Sequence, residues 1–515
     1  MLPDMQPSGS ADVHRHNIEG PAISMSPQNP TETEVVDAVR KQLLIGGSWR
    51  AASGERTFEV EDPSTGKALC SVADATAEDG LAALAAADAA QADWAQHPPR
   101  QRGEILRRAF ELMHERHEQL ALLMCLEMGK PLAECRGEVS YAAEFFRWFA
   151  EEAVRIDGDY AVSPSGQGRV LVMHQPVGPA LMVTPWNFPL AMGTRKIGPA
   201  IAAGCTSVIK PAHQTPLSML ALGEILTEAG LPDGVVNLVT AVGAGELMEP
   251  MIRDPRARKL TFTGSTAVGR KLIEQSAEQV LNTSMELGGN APFLVFADAD
   301  LDKAVDGAMA AKMRNIGEAC TAANRFYVHR DVAEDFSRRL AERMGALRTG
   351  RGSTDAVEVG PLIDATQRDK VVELVSDARD RGARTVLGGE ADTSGPGYFF
   401  PPTVLTDVPT EARMTSEEIF GPVAPITTFT DEDEALARAN NTEYGLVSYV
   451  YTQDLTRALR VSERLESGMV GLNQGVVSNA AAPFGGMKQS GLGREGGKVG
   501  IDEFLETKYV NIGGL

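Results

Sequence analysis

Two residues with reactive side chains, Cys320 and Glu286, lie beside glycine-containing turns. Cys320 ends the polar run RNIGEAC at residues 314–320, just ahead of the apolar run FYV at 326–328. Glu286 lies upstream, closes a mostly apolar run and is followed by two glycines. A thiol nucleophile assisted by a distant carboxylate base would use both residues. Two alternatives stay open, because a free cysteine is often buried and inert and a carboxylate can simply accept a backbone N–H.

The number and positions of the cysteines and histidines limit the mechanisms that Cys320 could use. The chain has five cysteines and eight histidines. The cysteine spacing fits neither a disulfide framework nor a zinc site, so we expect no metal and a reducing, cytoplasmic location. Because no histidine lies near Cys320 in the chain, a papain-like pair is less attractive than a thiolate activated by backbone dipoles or a cofactor charge. Four cysteines lie in apolar or alanine-rich settings and are expected to be inert: Cys70, Cys125, Cys135 and Cys205.

Asn187 and Lys210 are further positions where a side chain could bind a ligand. Asn187 lies in TPWNFP at residues 184–189, where two prolines and two aromatic rings stiffen the loop. Its amide could donate to an oxyanion, or it could form a turn by bonding its own backbone. Lys210 ends an apolar run and precedes Pro211. It could bind ribose hydroxyls or phosphate at a strand end, or it could be a solvated loop residue.

Two glycine-containing segments are candidates for a phosphate loop. Residues 262–269, FTGSTAVG, pass from a strand-like segment through small hydroxyl residues into a helical one. A helix N-terminus there would favour a pyrophosphate, although an ordinary turn with a Ser or Thr cap is the alternative. Residues 491–496, GLGREG, match the dinucleotide fingerprint. That motif must open a βαβ unit of about thirty residues, and too few residues follow for such a unit, so we expect no phosphate loop there.

The elements that position these residues alternate between strand and helix. Such alternation indicates βαβ units and a parallel sheet, which binds ligands at the carboxyl ends of its strands. A second alternating block begins near residue 292 and indicates a second α/β domain. A long helix is predicted over 101–128, a hairpin over 160–176, and a final strand over 506–510 that could pair with this hairpin or with another subunit. The predicted strands of the first block are 180–184, 207–210, 234–239, 259–262 and 284–287, and its helices are 195–203, 216–229, 244–253 and 266–279.

Composition argues against several classes of partner. The formal net charge is −21, which disfavours nucleic acid and anionic membranes. No apolar run approaches the roughly 18 residues of a membrane-spanning helix. Residues 1–34 are rich in Pro, Ser, Met and Asn and lack the apolar core of a signal peptide, so we expect a disordered N-terminal tail there.

Seven motifs occur in an order that resembles the aldehyde dehydrogenase superfamily. They are PWNFP at 185–189, KP at 210–211, FTGS at 262–265, ELGG at 286–289, GEAC at 317–320, EIFGP at 418–422 and PFGG at 483–486. The resemblance covers the chain from about residue 40 onward. It implies an α/β fold with a Rossmann-like, parallel-sheet cofactor domain, a second α/β catalytic domain and a small β oligomerisation element. The implied boundaries are 35–157 and 177–288 for the NAD(P)-binding domain, 289–495 for the catalytic domain, and 158–176 with 496–515 for the oligomerisation element.

The resemblance also implies a covalent mechanism for aldehyde oxidation. The Cys320 thiolate attacks the aldehyde carbon to give a thiohemiacetal, whose oxyanion accepts hydrogen bonds from the Asn187 amide and the Cys320 backbone N–H. Hydride transfer to the nicotinamide leaves a thioester, and Glu286 activates the water that releases the acid. The residues implied in cofactor binding are Thr184, Pro185, Trp186, Lys210, Ala212, His213, Gly264, Ser265, Gly269, Leu287, Gly288, Glu418 and Phe420.

Within the superfamily, the run at residues 485–510 makes the chain most similar to the succinate-semialdehyde dehydrogenases. Arg195, Arg314 and Ser478 match the substrate positions of that branch. Two guanidinium groups and a hydroxyl could bind the distal carboxylate of succinic semialdehyde and reject uncharged aldehydes, although ordinary ion pairing is the alternative for both arginines. We therefore expect oxidation of succinic semialdehyde to succinate. Glutaric semialdehyde or a broader aldehyde range is the alternative, since one methylene is worth only about 1–3 kcal/mol.

Two other classes of protein give different expectations. A cysteine hydrolase would act without a nicotinamide cofactor. A non-catalytic scaffold would tolerate the loss of Cys320, Glu286 or Asn187, yet all three are present.

His213 bears on the choice of cofactor. It stands where NAD-preferring members of the family carry a glutamate for the adenosine 2′-hydroxyl. Without that carboxylate the repulsion against a 2′-phosphate is lost, and His213 could donate to the phosphate, so we expect NADP, with NAD possible. Ala322 stands where some relatives carry a second cysteine, so a disulfide switch is not expected there. The family's mode of assembly implies a homodimer or homotetramer.

Overall fold

The computed structural model describes residues 30–391 and 395–513. The first helix begins at Glu32, because the Thr31 side chain accepts the Glu34 N–H and the Glu34 carboxylate accepts the Thr31 N–H, which is a capping box. The expected disordered tail over 1–34 is therefore wrong for residues 32–34, and residues 1–29 lie outside the described residues.

The described residues contain fourteen α-helices. They are α1 (Glu32–Ala38), α2 (Ala77–Gln96), α3 (Pro99–Glu115), α4 (His117–Met128), α5 (Leu132–Glu152), α6 (Ala191–Ala203), α7 (Leu217–Glu228), α8 (Ala244–Ile252), α9 (Thr266–Ser276), α10 (Leu301–Met313), α11 (Arg330–Gly345), α12 (Ala365–Asp380), α13 (Glu432–Asn440) and α14 (Leu455–Arg464).

The same residues form twenty-two strands. They are β1 (Leu43–Ile45), β2 (Ser48–Arg50), β3 (Thr57–Asp62), β4 (Lys67–Ala73), β5 (Asp159–Val162), β6 (Arg169–Pro176), β7 (Ala180–Val183), β8 (Ser207–Lys210), β9 (Val236–Leu238), β10 (Lys259–Thr263), β11 (Asn282–Glu286), β12 (Ala291–Val295), β13 (Ala323–His329), β14 (Arg384–Leu387), β15 (Thr403–Thr406), β16 (Val423–Phe429), β17 (Tyr444–Gly445), β18 (Val447–Tyr451), β19 (Met469–Leu472), β20 (Met487–Lys488), β21 (Gly491–Leu492) and β22 (Leu505–Ile512).

The first large sheet has the strand order β2-β1-β9-β8-β7-β10-β11-β21. Its strands from β9 to β11 are parallel. Alternate residues of β7 enter different cores, with Ala180 and Met182 on one face and Leu181 on the other, as the two-residue period of a strand requires. In chain order, β8 and β9 are added on one side of β7, and the next strands, β10 and β11, are added on its other side. Ligands of α/β proteins bind in the crevice at such a reversal.

The second large sheet has the order β14-β15-β16-β13-β12-β18-β19. Among its strand pairs in the described residues, only the edge pair β14–β15 is antiparallel. Aromatic rings from neighbouring strands fill its core, with the Phe293 and Tyr451 ring centroids 4.9 Å apart. The two parallel sheets confirm the α/β fold class expected from the alternating pattern.

A third sheet of three antiparallel strands stands apart, in the order β22-β6-β5. Strand β22 pairs with β6 from Leu505 opposite Pro176 to Ile512 opposite Arg169. Of the two alternatives for the C-terminal strand, pairing with the hairpin of its own chain is therefore the one observed. Strand β5 is exposed along its whole length, and Tyr160 on it is 64% exposed.

Gly491 and Leu492 form strand β21 of the first sheet, although they lie within the predicted catalytic segment 289–495. Strand β21 pairs antiparallel with β11, with Gly491 opposite Glu286. Gly491 has a φ of +137°, and a Cβ on it would clash with the Met285 carbonyl oxygen, so the glycine permits close strand approach. The domain boundaries themselves remain predictions.

None of the helices in residues 30–391 and 395–513 is long and apolar enough to cross a bilayer.

Candidate active site

The site lies where the carboxyl edge of the first sheet meets the amino edge of the second. Glu286 ends β11, and residues 287–290 lead directly into β12. Cys320 lies just before β13, which pairs with β12. A Cβ on Gly289 would clash with the Cys320 carbonyl oxygen, so a glycine there lets the two segments meet. The two residues first considered for chemistry are thus brought to one cleft.

A left-handed turn precedes the thiol. Asn315, Ile316 and Gly317 have φ values of 53°, 60° and 78°. A non-glycine residue in this region costs about 1–3 kcal/mol. Ile316 is 1% exposed, and burying such a side chain returns about 1.5–3 kcal/mol. The Asn315 amide also donates to the carbonyls of Asn187 and Glu318 at 3.0 and 2.8 Å. Packing and hydrogen bonds therefore hold a strained backbone in the loop that carries Cys320.

Cys320 is partly exposed as a residue, and the charges of four side chains act on its thiol. Burial raises its pKa to about 12, the Arg195 and Arg314 charges oppose this shift, and Glu418 and Glu286 reinforce it. In the free protein the thiol is therefore protonated at neutral pH, and it becomes a nucleophile only when its proton is removed or a further positive charge stabilises the thiolate.

Asn187 is buried beside this loop, and its side chain is fixed at both ends. Its Nδ2 donates to the Glu318 carbonyl at 3.0 Å, and its Oδ1 accepts the Phe188 N–H at 3.1 Å. A primary amide has two N–H donors, so the second remains available. The Cys320 backbone N–H likewise has no acceptor within the described residues. Both features considered for Asn187, a local turn bond and a free donor, are present.

Glu286 is a buried carboxyl group, and its Oε2 has no hydrogen-bond partner in the described chain. Burial raises its pKa well above the usual range and the Glu495 charge adds to this, while Arg195, Lys196 and Arg494 act in the opposite direction. A carboxyl group with a raised pKa and a free oxygen is suited to proton transfer near neutral pH.

The three predicted substrate residues differ in their pairing. The Arg195 Nη2 lies 2.7 Å from the Glu495 Oε2, and Lys196 is ion-paired with the same carboxylate. The alternative of ordinary ion pairing therefore holds for Arg195. Arg314 forms no ion pair within the described residues and instead donates from Nη1 to the Ser478 Oγ at 3.0 Å. The structure thus joins Arg314 to Ser478.

The motifs did not indicate Glu495 or Tyr141, which lie beside the predicted substrate residues. Glu495 lies in the run GLGREG at residues 491–496, whose glycines match the dinucleotide fingerprint. Tyr141 lies on α5, and its hydroxyl is buried without a hydrogen-bond partner in the described residues. The Arg314 guanidinium lies 5.8 Å from the Tyr141 ring centroid. On α5, Tyr141 shares a helix face with the buried residues Glu138 and Phe145, and this helical spacing was the signal available in the sequence.

Lys210 ends β8 at the carboxyl edge of the first sheet, close to the strand-order reversal. It is buried, its amino group has no hydrogen-bond partner within residues 30–391 and 395–513, and burial lowers its pKa to about 8. A buried amine without a partner fits a ligand that brings hydroxyl or anionic oxygens. His213 is half-buried after Ala212, and burial and the Lys210 charge lower its pKa.

The turn from β10 to α9 brings three more predicted residues to the same edge. Ser265 is the N-cap of α9 and accepts the Val268 N–H at 3.4 Å. Gly264 links it to β10, and a Cβ on Gly269 would clash with the Leu287 side chain. The serine cap, which was the alternative to a phosphate loop, is therefore present. Ser265 is exposed, so the N-terminus of α9 is accessible to a pyrophosphate.

The remaining predicted cofactor residues lie at 184–186, 288 and 418–420, in segments that contact one another. Trp186 and Phe420 are in edge-to-face contact, with ring centroids 5.3 Å apart. Burial raises the pKa of Glu418 to about 7, and this carboxyl accepts the Gly289 N–H at 3.3 Å. The Thr184 Oγ is buried without a partner in the described residues. Pro185 lies beside Trp186, and a Cβ on Gly288 would come within 3.2 Å of the Glu418 carboxylate.

A model of the family described as the aldehyde dehydrogenase family matches residues 49–510. The chain belongs to this family. The resemblance predicted from seven motifs is thereby confirmed, and so is the enzyme class.

Curated relatives and a solved structure are similar over nearly the whole family region. A succinate-semialdehyde dehydrogenase of Paenarthrobacter nicotinovorans is 60% identical over 86% of this chain and 98% of its own length. An NADP(+) succinate-semialdehyde dehydrogenase of Escherichia coli is 51% identical over 92% and 98%. A glutarate-semialdehyde dehydrogenase of Pseudomonas aeruginosa is 49% identical over 92% and 98%. The crystal structure of an Escherichia coli NADP-dependent enzyme superposes with a TM-score of 0.91, at 50% identity, over 93% of this chain and 99% of that one.

Proposed function

We propose that this aldehyde dehydrogenase oxidises succinic semialdehyde to succinate, using NADP in preference to NAD. The observation that carries the proposal is Arg314, a guanidinium beside the nucleophile that forms no ion pair within the described residues and is joined to Ser478 at 3.0 Å. A planar fork of donors without a carboxylate of its own suits a substrate that brings one. Relatives named for succinate semialdehyde support the same substrate.

The distal carboxylate of the substrate would be bound by Arg314, Ser478 and the free hydroxyl of Tyr141. Arg195 adds positive charge near Cys320, but its guanidinium is already paired with Glu495. We therefore assign the main contact to Arg314 and a supporting electrostatic role to Arg195. An uncharged aldehyde would leave the Arg314 charge unpaired, which disfavours its binding.

The reacting aldehyde carbon would lie at the Cys320 sulfur. The Cys320 thiol would first lose its proton, and the Arg195 and Arg314 charges together with the positive charge of a bound oxidised nicotinamide would stabilise the thiolate. Attack by this thiolate on the aldehyde carbon would form the C–S bond and move charge to the carbonyl oxygen, which gives a thiohemiacetal anion. The second Asn187 N–H and the free Cys320 N–H would stabilise this oxyanion. Loss of a hydride from the thiohemiacetal carbon would leave a thioester at Cys320, and a bound nicotinamide cofactor would supply the hydride acceptor. Glu286 would then remove a proton from water, whose attack on the Cys320 thioester releases the carboxylate and restores the thiol.

The cofactor would lie along the carboxyl edge of the first sheet. Lys210 would bind ribose or phosphate oxygens, the α9 N-terminus at Ser265 would face the pyrophosphate, and Glu418 and Phe420 would hold the nicotinamide riboside. His213 leaves no carboxylate to repel a 2′-phosphate, and the Lys210 charge is close enough to lower its pKa. These features support NADP.

The three-stranded sheet of β22, β6 and β5 would mediate homo-oligomer formation. Its two edge strands, β5 and β22, each lack a neighbour on their outer side in the described chain. Large side chains are exposed on both, with Tyr160 and Val162 on β5 and Tyr509 on β22. An exposed edge with large side chains is a common site of strand pairing between chains. A dimer or a tetramer would both cover it.

A panel of substrates and cofactors tests the proposal. Succinic semialdehyde, glutaric semialdehyde and butanal would each be measured with NADP and with NAD, following cofactor reduction. We expect the highest kcat/KM for succinic semialdehyde with NADP. A higher value for glutaric semialdehyde would favour the activity named for the Pseudomonas aeruginosa relative, and equal values for butanal would refute carboxylate recognition.

A further inference from the structure

A fully buried ion pair, Lys130 with Glu138, lies behind the segment that carries Asn187. Lys130 follows α4 and is 0% exposed, and Glu138 on α5 is 3% exposed. The two side chains are in direct contact. Charges at this depth have a large desolvation cost, and well-packed apolar residues often serve stability equally well or better.

Both members of the pair bond to residues 187–191. The Lys130 Nζ donates to the Asn187 carbonyl at 2.8 Å. The Glu138 Oε1 accepts the N–H groups of Leu190 and Ala191 at 3.0 and 3.1 Å. One ion pair thus holds the carbonyl at one end of this segment and the N–H groups at the other, where α6 begins.

The same segment is fixed from the side of the nucleophile. Asn315 in the left-handed turn donates to the Asn187 carbonyl at 3.0 Å, and the Asn187 side chain donates to the Glu318 carbonyl at 3.0 Å. Lys130 thus binds the Asn187 backbone, and the Glu318 carbonyl accepts one of the two side-chain amide N–H groups. Because both ends are fixed, the direction of the second amide N–H is fixed as well.

We propose that Lys130 and Glu138 are positioning residues for aldehyde oxidation. They act through Asn187 and hold its free amide N–H at the place where the oxyanion forms. The inference rests on the proposed role of Asn187 and adds the groups that aim it. A donor must lie within hydrogen-bond distance of the developing charge, and a displacement of about 1 Å can lower a rate by about a hundredfold.

A double-mutant cycle with Asn187→Ala tests the inference. The paired substitution Lys130→Met with Glu138→Gln removes both charges, and the glutamine side-chain oxygen can still accept the Leu190 and Ala191 N–H groups. We expect it to slow the pre-steady-state burst of cofactor reduction by about 10- to 100-fold, with the KM for cofactor unchanged. In the Asn187→Ala background, the same pair should change the burst less than about twofold, because groups that act as a unit are not additive.

A matched control separates positioning from general loss of structure. Lys259 is another fully buried lysine, which donates to Asn282 and Ser284 away from the cleft. Any effect of Lys259→Met on the burst should be the same with and without Asn187→Ala. If the paired variant does not fold, Lys130→Arg keeps the charge but moves the donor, and it should show the same coupling to Asn187.

The outcomes are distinguishable. Equal slowing by the paired substitution in both backgrounds would overturn the positioning role. An Asn187→Ala variant with an unchanged burst would instead overturn the proposed oxyanion role of Asn187, whatever the pair does.

Discussion

Arg314→Gln should remove the preference for an aldehyde that carries a carboxylate. In the structure the guanidinium uses one donor on Ser478 and forms no ion pair in the described chain, so its other donors are available to the substrate. Hydrogen bonds to charged groups contribute about 1.5–3 kcal/mol, and each 1.36 kcal/mol is a factor of ten. We therefore expect kcat/KM for succinic semialdehyde to fall about 10- to 200-fold.

The assay compares this fall with that for butanal, which lacks the carboxylate. Loss of the Arg314 charge also raises the pKa of Cys320, since that charge opposes the effect of burial. This second effect acts on both aldehydes and cancels in the ratio of their kcat/KM values. Arg338→Gln, on the exposed face of α11, is the matched control and should leave both values within about threefold. Equal losses for the two aldehydes in Arg314→Gln would refute the reasoning.

Three further predictions concern the base and the cofactor site. Glu286→Gln should preserve the burst of hydride transfer but lower steady-state turnover about 10²- to 10⁴-fold. Because the Glu286 pKa is raised, wild-type turnover should increase with pH as the carboxylate forms, and the variant should lose that increase. His213→Glu should lower kcat/KM for NADP by at least about tenfold relative to NAD, since like charges brought together cost several kcal/mol, and an unchanged ratio would count against the 2′-phosphate site. Lys210 has a pKa of about 8 and loses its charge as pH rises through that value, so the KM for NADP should increase above about pH 8. Lys210→Met should raise the KM at lower pH and flatten its pH dependence. Parallel KM-against-pH profiles for the variant and the wild type would contradict the assignment.

Local patterns predicted most of the first sheet. Strand β8 was predicted at 207–210 and forms at Ser207–Lys210, and the helix predicted at 216–229 forms at Leu217–Glu228. These elements have clear apolar periods and flanking turns, which is the information that a sequence carries locally. The helix predicted over 101–128 is instead two helices, because Arg116 has φ −107° and ψ 21° between α3 and α4. No glycine or proline marks that break.

The contacts that define the cleft were harder to predict. The motifs indicated Cys320, Glu286 and Asn187 as a set, but the partner of Arg195 is Glu495, which is distant in the chain. Glu495 follows β21 and forms a backbone bridge with Phe484. The Lys130–Glu138 pair was not predicted for a different reason. Lysine and glutamate usually remain in solvent, so their residue types do not indicate a buried pair.

The left-handed turn before Cys320 has a consequence for engineering thermostability. Replacing Ile316 with glycine would relieve about 1–3 kcal/mol of backbone strain, but deleting a buried isoleucine costs about 2–5 kcal/mol, so the protein should lose stability. Val280 has the same kind of backbone, with a φ of 52°, yet it is 87% exposed. At Val280 the strain has no compensating burial, so Val280→Gly should raise the melting temperature while Ile316→Gly lowers it. Two positions with similar torsion angles thus call for opposite decisions, and burial determines which one a protein engineer should change.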